Sequence, residues 1–468
     1  MSRASLISLL RFLGLVVVSL PFASSRALNQ PRALPPSIDP FYKPPAGFES
    51  KAPGTILRQR LVISAFFGLI PDPVETWQLL YRTTAVDGSP IATVTTIFKP
   101  LSPKQDRFIS FHTAYDSSAT ACNPSYNYQL GALQNDLISA AEFLLLQAYL
   151  LSGYIVASPD YEGPDAAFAA GHLEGMGVLD GMRAVVNFKK TLNFSTATPM
   201  IVGVGYSGGA IATGWAASLH PTYAPELAMK GWVQGGTPAN LTGVVVFIDN
   251  TLFSGFLPIA VNGLSKPSAY GAQMNPLLES IVTPHGQDIL DFSNSHCAVP
   301  NILAFPEQSI LATSVQSLGP SLLYQPDVAV VLQQNTMGTR KNETPTAPVF
   351  LYHAALDEII PYANASALFD AWCGYGANVK FTTFANGGHI TTEVIAVVDA
   401  LQFVSDAFAD KVPGGCSHNT ELSSTLDPIA LGVALEPLLV QLIEVLATAG
   451  KNDANIINDI RTLGKHRV

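Results

Sequence analysis

Five consecutive residues constrain this chain most: Gly205-Tyr206-Ser207-Gly208-Gly209. A short apolar run at 200–204 precedes them and an alanine-rich stretch at 210–219 follows. The run reads as a strand and the stretch as a helix. A serine at so sharp a strand-to-helix turn carries strained backbone torsions. A side chain two residues away on either side would strike neighbouring elements, and glycine stands at both places. The turn lifts the hydroxyl into the open, facing the first N–H groups of the helix, where developing negative charge is stabilised. The Gly-x-Ser-x-Gly pattern alone is common by chance. The strand before it and the helix after it make it a nucleophile elbow.

The rest of the chain supplies a framework for such a turn. Residues 91–98, 108–113, 153–158, 230–234, 348–353 and 379–384 read as strands from their β-branched and aromatic content. Helices are predicted around 74–80, over 138–151 and over 175–188. Strands alternating with helices indicate an α/β fold with a mostly parallel sheet covered on both faces. With the elbow, that is an α/β-hydrolase. Between 240 and 340 the alternation stops, and apolar stretches at 244–248 and 252–261 lie among Gly, Pro and Asn. This segment is expected to be a helical cap or lid inserted into the core, with ordinary extra core as the plainer reading. The expected layout is a signal peptide at 1–27, core at 28–239 beginning with a proline-rich irregular arm, the cap at 240–340, core again at 341–416, and a tail at 417–468. Residues 422–460 of the tail are apolar and helix-compatible, interrupted by Pro437, and a docked helix is favoured over a membrane-surface one.

Composition bears on compartment and partners. At 468 residues, 48% hydrophobic and 13% charged, the chain can bury a large core and expose some apolar surface besides. Net charge is -10 and no basic patch occurs, which argues against nucleic acid as a partner. Arg3, an apolar run at 12–20 and Ser25-Arg26-Ala27 read as a secretory signal cut after Ala27. The run is short for a membrane anchor, so no transmembrane segment is expected in the mature chain. Asn193, Asn240, Asn342 and Asn364 each begin a glycosylation sequon. Four cysteines, Cys122, Cys297, Cys373 and Cys416, suit two disulfides in an exported chain, and their number allows three pairings. None has the close spacing of a zinc site, and no phosphate-cradling loop with its lysine occurs, so no cofactor and no metal are expected.

A serine hydroxyl needs a base to take its proton. In this fold class the acid and then the histidine follow the serine along the chain. Asp357, after the strand at 348–353, is the leading acid, and Glu358 beside it is the rival. The shorter carboxylate is more easily held rigid on a tight turn. His389 follows the strand at 379–384 through Asn386-Gly387-Gly388, a loop free to swing the ring towards Ser207. His285 and His296 precede the acid. His353 lies too near its strand end, and His418 and His466 follow no central strand. The backbone N–H of Gly208 is one oxyanion donor. The second is expected from the loop 114–118, where Asp116 is the candidate and a plain turn residue is an equal reading.

Several of these pieces together resemble the fungal secretory lipase family. They are Tyr115-Asp116, Ser158-Pro159-Asp160-Tyr161-Glu162-Gly163, the elbow, the stretch 353–357 with Pro361 after it, and Gly388-His389. The resemblance covers nearly all of the mature chain. It implies a triad on Ser207, Asp357 and His389, with oxyanion donors at Asp116 and Gly208. It implies disulfides Cys122–Cys297 and Cys373–Cys416, a cap near 240–340, and a C-terminal flap after Cys416. It implies a secreted carboxylic ester hydrolase, first of all a triacylglycerol lipase, acting on lipid or small ester substrates at a lipid–water interface. A short-chain or secondary-metabolite esterase and an acyltransferase share the same chemistry. A peptidase would need a site for the peptide terminus, which is not evident. A dead binding protein would lack Ser207 or His389, and both are present.

Overall fold

The computed structural model describes residues 32–421. The expected signal peptide and the apolar stretch at 422–460 lie outside the described residues. Ten strands form one mixed sheet: β1 (Ile56–Val62), β2 (Glu75–Thr84), β3 (Pro90–Lys99), β4 (Arg107–His112), β5 (Ile155–Pro159), β6 (Met200–Tyr206), β7 (Met229–Gly235), β8 (Val349–Ala354), β9 (Val379–Phe384) and β10 (Ser417–Glu421). Their spatial order is β1-β2-β3-β5-β4-β6-β7-β8-β9-β10. β1, β2 and β3 pair antiparallel, as do β3 and β5, and every pair from β5 to β10 is parallel. Parallel neighbours need crossovers. The helices Leu137–Leu151, Gly171–Asn187, Gly208–Tyr223, Tyr362–Gly374 and His389–Phe408 provide them. This is an α/β-hydrolase architecture.

Because helices cover both faces, the central strands are apolar on both sides. Ile201 of β6 and Leu351 of β8 turn into one core, with Leu173, Val178 and Trp215 of the helices on that face. Val202, Val204 and Phe350 turn into the other, with Phe143, Leu146, Phe403 and Val404. One element departs from the sequence reading. The helix predicted at 74–80 is strand β2, fully paired with β3. Trp77, Leu79 and Tyr81 face one core, while Leu80 packs under Phe41, Tyr42 and Phe48 of the N-terminal arm. Trp77, Leu79 and Tyr81 alternate with Gln78 and Arg82, and Leu80 alone interrupts the pattern, its apolar pair with Leu79 lending the stretch a helical look.

Ser417–Glu421, placed in the tail from sequence, runs parallel beside β9 and extends the sheet. Between β7 and β8 the chain leaves the sheet for a helical insertion. Its helices are Leu241–Ile248, Phe256–Leu264, Gly271–Ile281, Pro284–Ser293, Ala298–Ala304 and Pro326–Gln334. Among the described residues no helix is long and apolar enough to cross a membrane. Asn193 and Asn342 are exposed, whereas Asn240 and Asn364 are half-buried, and the Asn364 amide donates to the Asn240 carbonyl.

Two disulfides form, Cys122–Cys297 and Cys373–Cys416, the pairing implied by the family resemblance. The first ties the segment after β4 to the insertion across 175 residues, the second closes 43. A cross-link stabilises mainly by restricting the unfolded chain, more so for longer loops. Replacing the first pair by serines is therefore expected to cost about 2–4 kcal/mol, roughly 1 kcal/mol more than replacing the second. Urea titrations of the two double variants check the order.

Candidate active site

Ser207 ends β6 and caps the helix Gly208–Tyr223 at φ 51° and ψ -122°. Positive φ is strained for a residue with a side chain. The turn persists because its flanks are packed to backbone contact. A Cβ on Gly209 would collide with the carbonyl of His112 at the end of β4, and one on Gly205 with the carbonyl of Gly209. His112 itself is buried between Ser110 and Thr213, and burial pushes it down to about 3, so it stays neutral. The N–H groups of the first helical turn have no partner within the helix, and Gly208 leads them.

The loops after β8 and β9 bring two more side chains to the serine. His389 Nε2 lies 2.8 Å from Ser207 Oγ, and its Nδ1 lies 2.7 Å from Asp357 Oδ2. The other Asp357 oxygen accepts from the N–H groups of Ile359 and Ile360, at 2.9 and 2.7 Å. This fixes the carboxylate on its turn. Glu358, the rival acid, takes a different place: its Oε2 accepts from the backbone N–H of His389 at 2.9 Å. Tyr206 donates to the His389 carbonyl at 2.6 Å. His353, discounted from sequence, is buried under Asp357, its Nε2 3.3 Å from Oδ2 and 3.0 Å from the Ile360 carbonyl.

Electrostatics follow from burial and pairing. Burial alone would raise Asp357, but the adjacent His389 holds it below the usual carboxylate range. Burial would lower His389, and Asp357, Glu358 and Glu393 outweigh it and hold the imidazole above its usual range. Asp116, at φ 40°, is buried with its carboxyl against Gly208, where a Cβ would strike it. Burial raises this carboxyl to about 7, and its Oδ1 has no partner among the described residues. The loop carrying Asp116 is held from beneath. Ala114 N–H donates to Glu142 at 2.9 Å, Tyr115 OH accepts from the Glu162 N–H at 2.8 Å, and Tyr161 donates to the Thr113 carbonyl at 2.7 Å.

The sequence reading missed these buried acids. Glu142 is a lone charge inside the apolar stretch 138–151, and Glu393 stands four residues after His389, on the same helical face. Both signals were present. Glu393 is hydrogen-bonded to Glu142, and burial pushes it up to about 7.

Two cavities meet at Ser207. The first, about 980 Å³, runs under the insertion and is apolar away from Ser207 and Asp116, with Leu241, Val261, Leu278 and Val331 in its wall. The second, about 780 Å³, passes His389, Tyr206 and Glu393.

The profile of the secretory lipase family matches residues 128–415. The chain belongs to that family. This secretory lipase is 42% identical to Secreted triacylglycerol lipase LIP1 of Malassezia furfur, over 84% of this chain and 80% of the relative. It is 38% identical to LIP4 of Malassezia globosa, over 91% and 93%. Its structure matches Candida antarctica lipase A in its closed state with a TM-score of 0.77 and 31% identity, covering 88% of this chain and 96% of that one. A cell wall degrading esterase from Xanthomonas oryzae, at 16% identity and a TM-score of 0.58, shares the fold alone. The lipase is thus a hydrolase with the α/β-hydrolase fold.

Removing the Ser207 side chain should release its backbone strain only if the replacement tolerates positive φ. Ser207→Gly is expected to raise stability by about 1–2 kcal/mol while Ser207→Ala leaves it near wild type. Thermal melts of the two variants, side by side, measure the difference.

Proposed function

We propose that this secretory lipase is a secreted triacylglycerol lipase working through a Ser207–His389–Asp357 triad and an acyl-enzyme. The observation that carries the reading is the unbroken hydrogen-bond chain from Ser207 through His389 to Asp357 at the floor of a large apolar cavity. Ser207 Oγ attacks the ester carbonyl as His389 Nε2 takes its proton. The tetrahedral oxygen is met by the backbone N–H groups of Gly208 and Asp116. The bond to the alcohol oxygen breaks, and His389 returns the proton to it. Water then repeats the sequence on the acyl-enzyme and frees the acid. Asp357 holds the imidazole in its tautomer and stabilises its charged form.

The same reading gives the insertion 240–340 the role of a lid above the acyl cavity, and motion of the lid gates entry. Exposed apolar residues on and beside it, Val246 at 65% and Leu356 at 52%, suit contact with a lipid–water interface. Residues 1–27 serve as the export signal, and the exposed Asn193 and Asn342 are the better glycan acceptors of the four sequons.

Initial rates on an acyl series, from acetyl esters to emulsified long-chain triglycerides, test the reading. Activity on the emulsions that disappears in Ser207→Ala is expected. Activity confined to short soluble esters would make the enzyme an esterase, and activity undiminished in the variant would overturn the triad. Asp357→Asn should lower kcat by about four orders of magnitude at neutral pH. The sign of its pH effect is fixed. The base works only when neutral, and the Asp357 charge holds His389 protonated to higher pH. Losing that charge should move the acid limb of kcat/KM to lower pH, as a pH–rate profile would record.

A further inference from the structure

The two cavities lie on chemically different sides of Ser207. The first borders Gly208 and Ile211, on the oxyanion side. The second borders Tyr206 and His389, on the side of the base. The acyl carbonyl must face Gly208 for its oxygen to reach the oxyanion donors. The leaving oxygen must face His389 Nε2 to receive its proton. With the oxyanion on its donors and the leaving oxygen at His389, the acyl substituent is left the direction away from the base, so the first cavity takes the acid half of an ester and the second, which His389 borders, the alcohol half.

The wall of the second cavity is built for hydrocarbon. Ile138 and Leu145 come from the helix Leu137–Leu151, Val299 and Ile302 from the insertion, and Ile390 and Val394 from the helix that begins at His389. Its three acids do not spoil this, for Asp116 stands at the junction with the first cavity. Glu142 and Glu393 are turned to each other, and Glu142 also takes the Ala114 N–H. Four residues, Asp116, Ser207, Phe256 and Ile359, border both cavities. An ester placed between them has one arm on each side of the junction.

We propose that the enzyme also hydrolyses esters of long linear primary alcohols, with the fatty alcohol chain seated in the second cavity. This rests on the triad reading above and adds a substrate class to the same site. The balance is that of the main reaction. Ser207 Oγ bonds the acyl carbon, the bond to the alkoxy oxygen breaks, and the proton held on His389 passes to the fatty alcohol. Water completes the cycle by releasing the fatty acid.

The experiment uses the full mature enzyme on detergent-dispersed hexadecyl palmitate, hexadecyl acetate, methyl palmitate and methyl acetate. Hexadecyl palmitate is expected to be hydrolysed. Hexadecyl acetate should exceed methyl acetate in kcat/KM by at least about tenfold, since its chain is buried on binding. Ile138→Trp narrows the second cavity at a half-buried position on the first turn of its helix. It should lower the ratio of hexadecyl acetate to methyl palmitate kcat/KM by about tenfold. Leu278→Trp, in the wall of the first cavity, should raise that ratio. Equal rates for the two acetates, or a ratio unmoved by either variant, would overturn the proposal while methyl palmitate turnover left the triad intact. Failure of the wild type on all four esters would overturn the triad and the proposal together.

Discussion

The contact on which this structure depends is the approach of Gly209 to the carbonyl of His112. No side chain can stand between them. It presses the first turn of the helix after β6 against the end of β4, so the strained serine and the loop bearing Asp116 are fixed by one constraint. From there the geometry spreads outward through buried links. His112 is tied to Thr213, Ala114 to Glu142, and Tyr206 to the His389 carbonyl. Each bond joins a different crossover to the same few ångströms of β4 and β6. The sheet order delivers the three loops to one edge, and the small residues let them close.

Burial then sets the charges. Ser207 is reached by a histidine and an aspartate that are almost wholly removed from water, yet both keep their charge-favouring partners. Asp116 and Glu393 feel His389 without a bond to it, and burial outweighs that charge and drives both carboxyls up to about 7. The site thus holds acids in two states within one apolar pocket: one ionised by its partner, the others kept closer to neutral by exclusion of solvent.

Much of this was legible in the chain. The elbow announced itself because its glycines, serine, strand and helix are contiguous. Asp357 and His389 were legible because each follows a parallel strand at its carboxyl end, where such folds place their chemistry. Other features were hidden for identifiable reasons. β2 alternates apolar and polar residues except at Leu80, and the adjacent Leu79-Leu80 pair is enough to suggest a helix instead. β10 is a short polar strand, Ser-His-Asn-Thr-Glu, with nothing apolar to betray its pairing. The partnership of Glu142 with Glu393 joins residues far apart in sequence, so only the closed fold reveals it. The part played by Glu358 was also out of reach, because the local turn decides which of two neighbouring carboxylates meets the ring and which meets the backbone.

The Cys122–Cys297 bond reaches beyond stability. Cys122 follows the loop that carries Asp116, and Cys297 opens the short helix Ala298–Ala304 of the insertion. Beside it, Ser118 donates to the carbonyl of Ser293 at 3.1 Å. The insertion is thereby covalently hung on the loop that carries Asp116, like a door on its post. Its portion around 284–304 is leashed to that loop by the disulfide, while the ends near Leu241–Ile248 and Pro326–Gln334 are held to the core by hydrogen bonds rather than a cross-link, Asn364 to Asn240 and Gly171 to Asn335. If the insertion moves as the lid proposed above, the disulfide carries its displacement to the loop that bears Asp116.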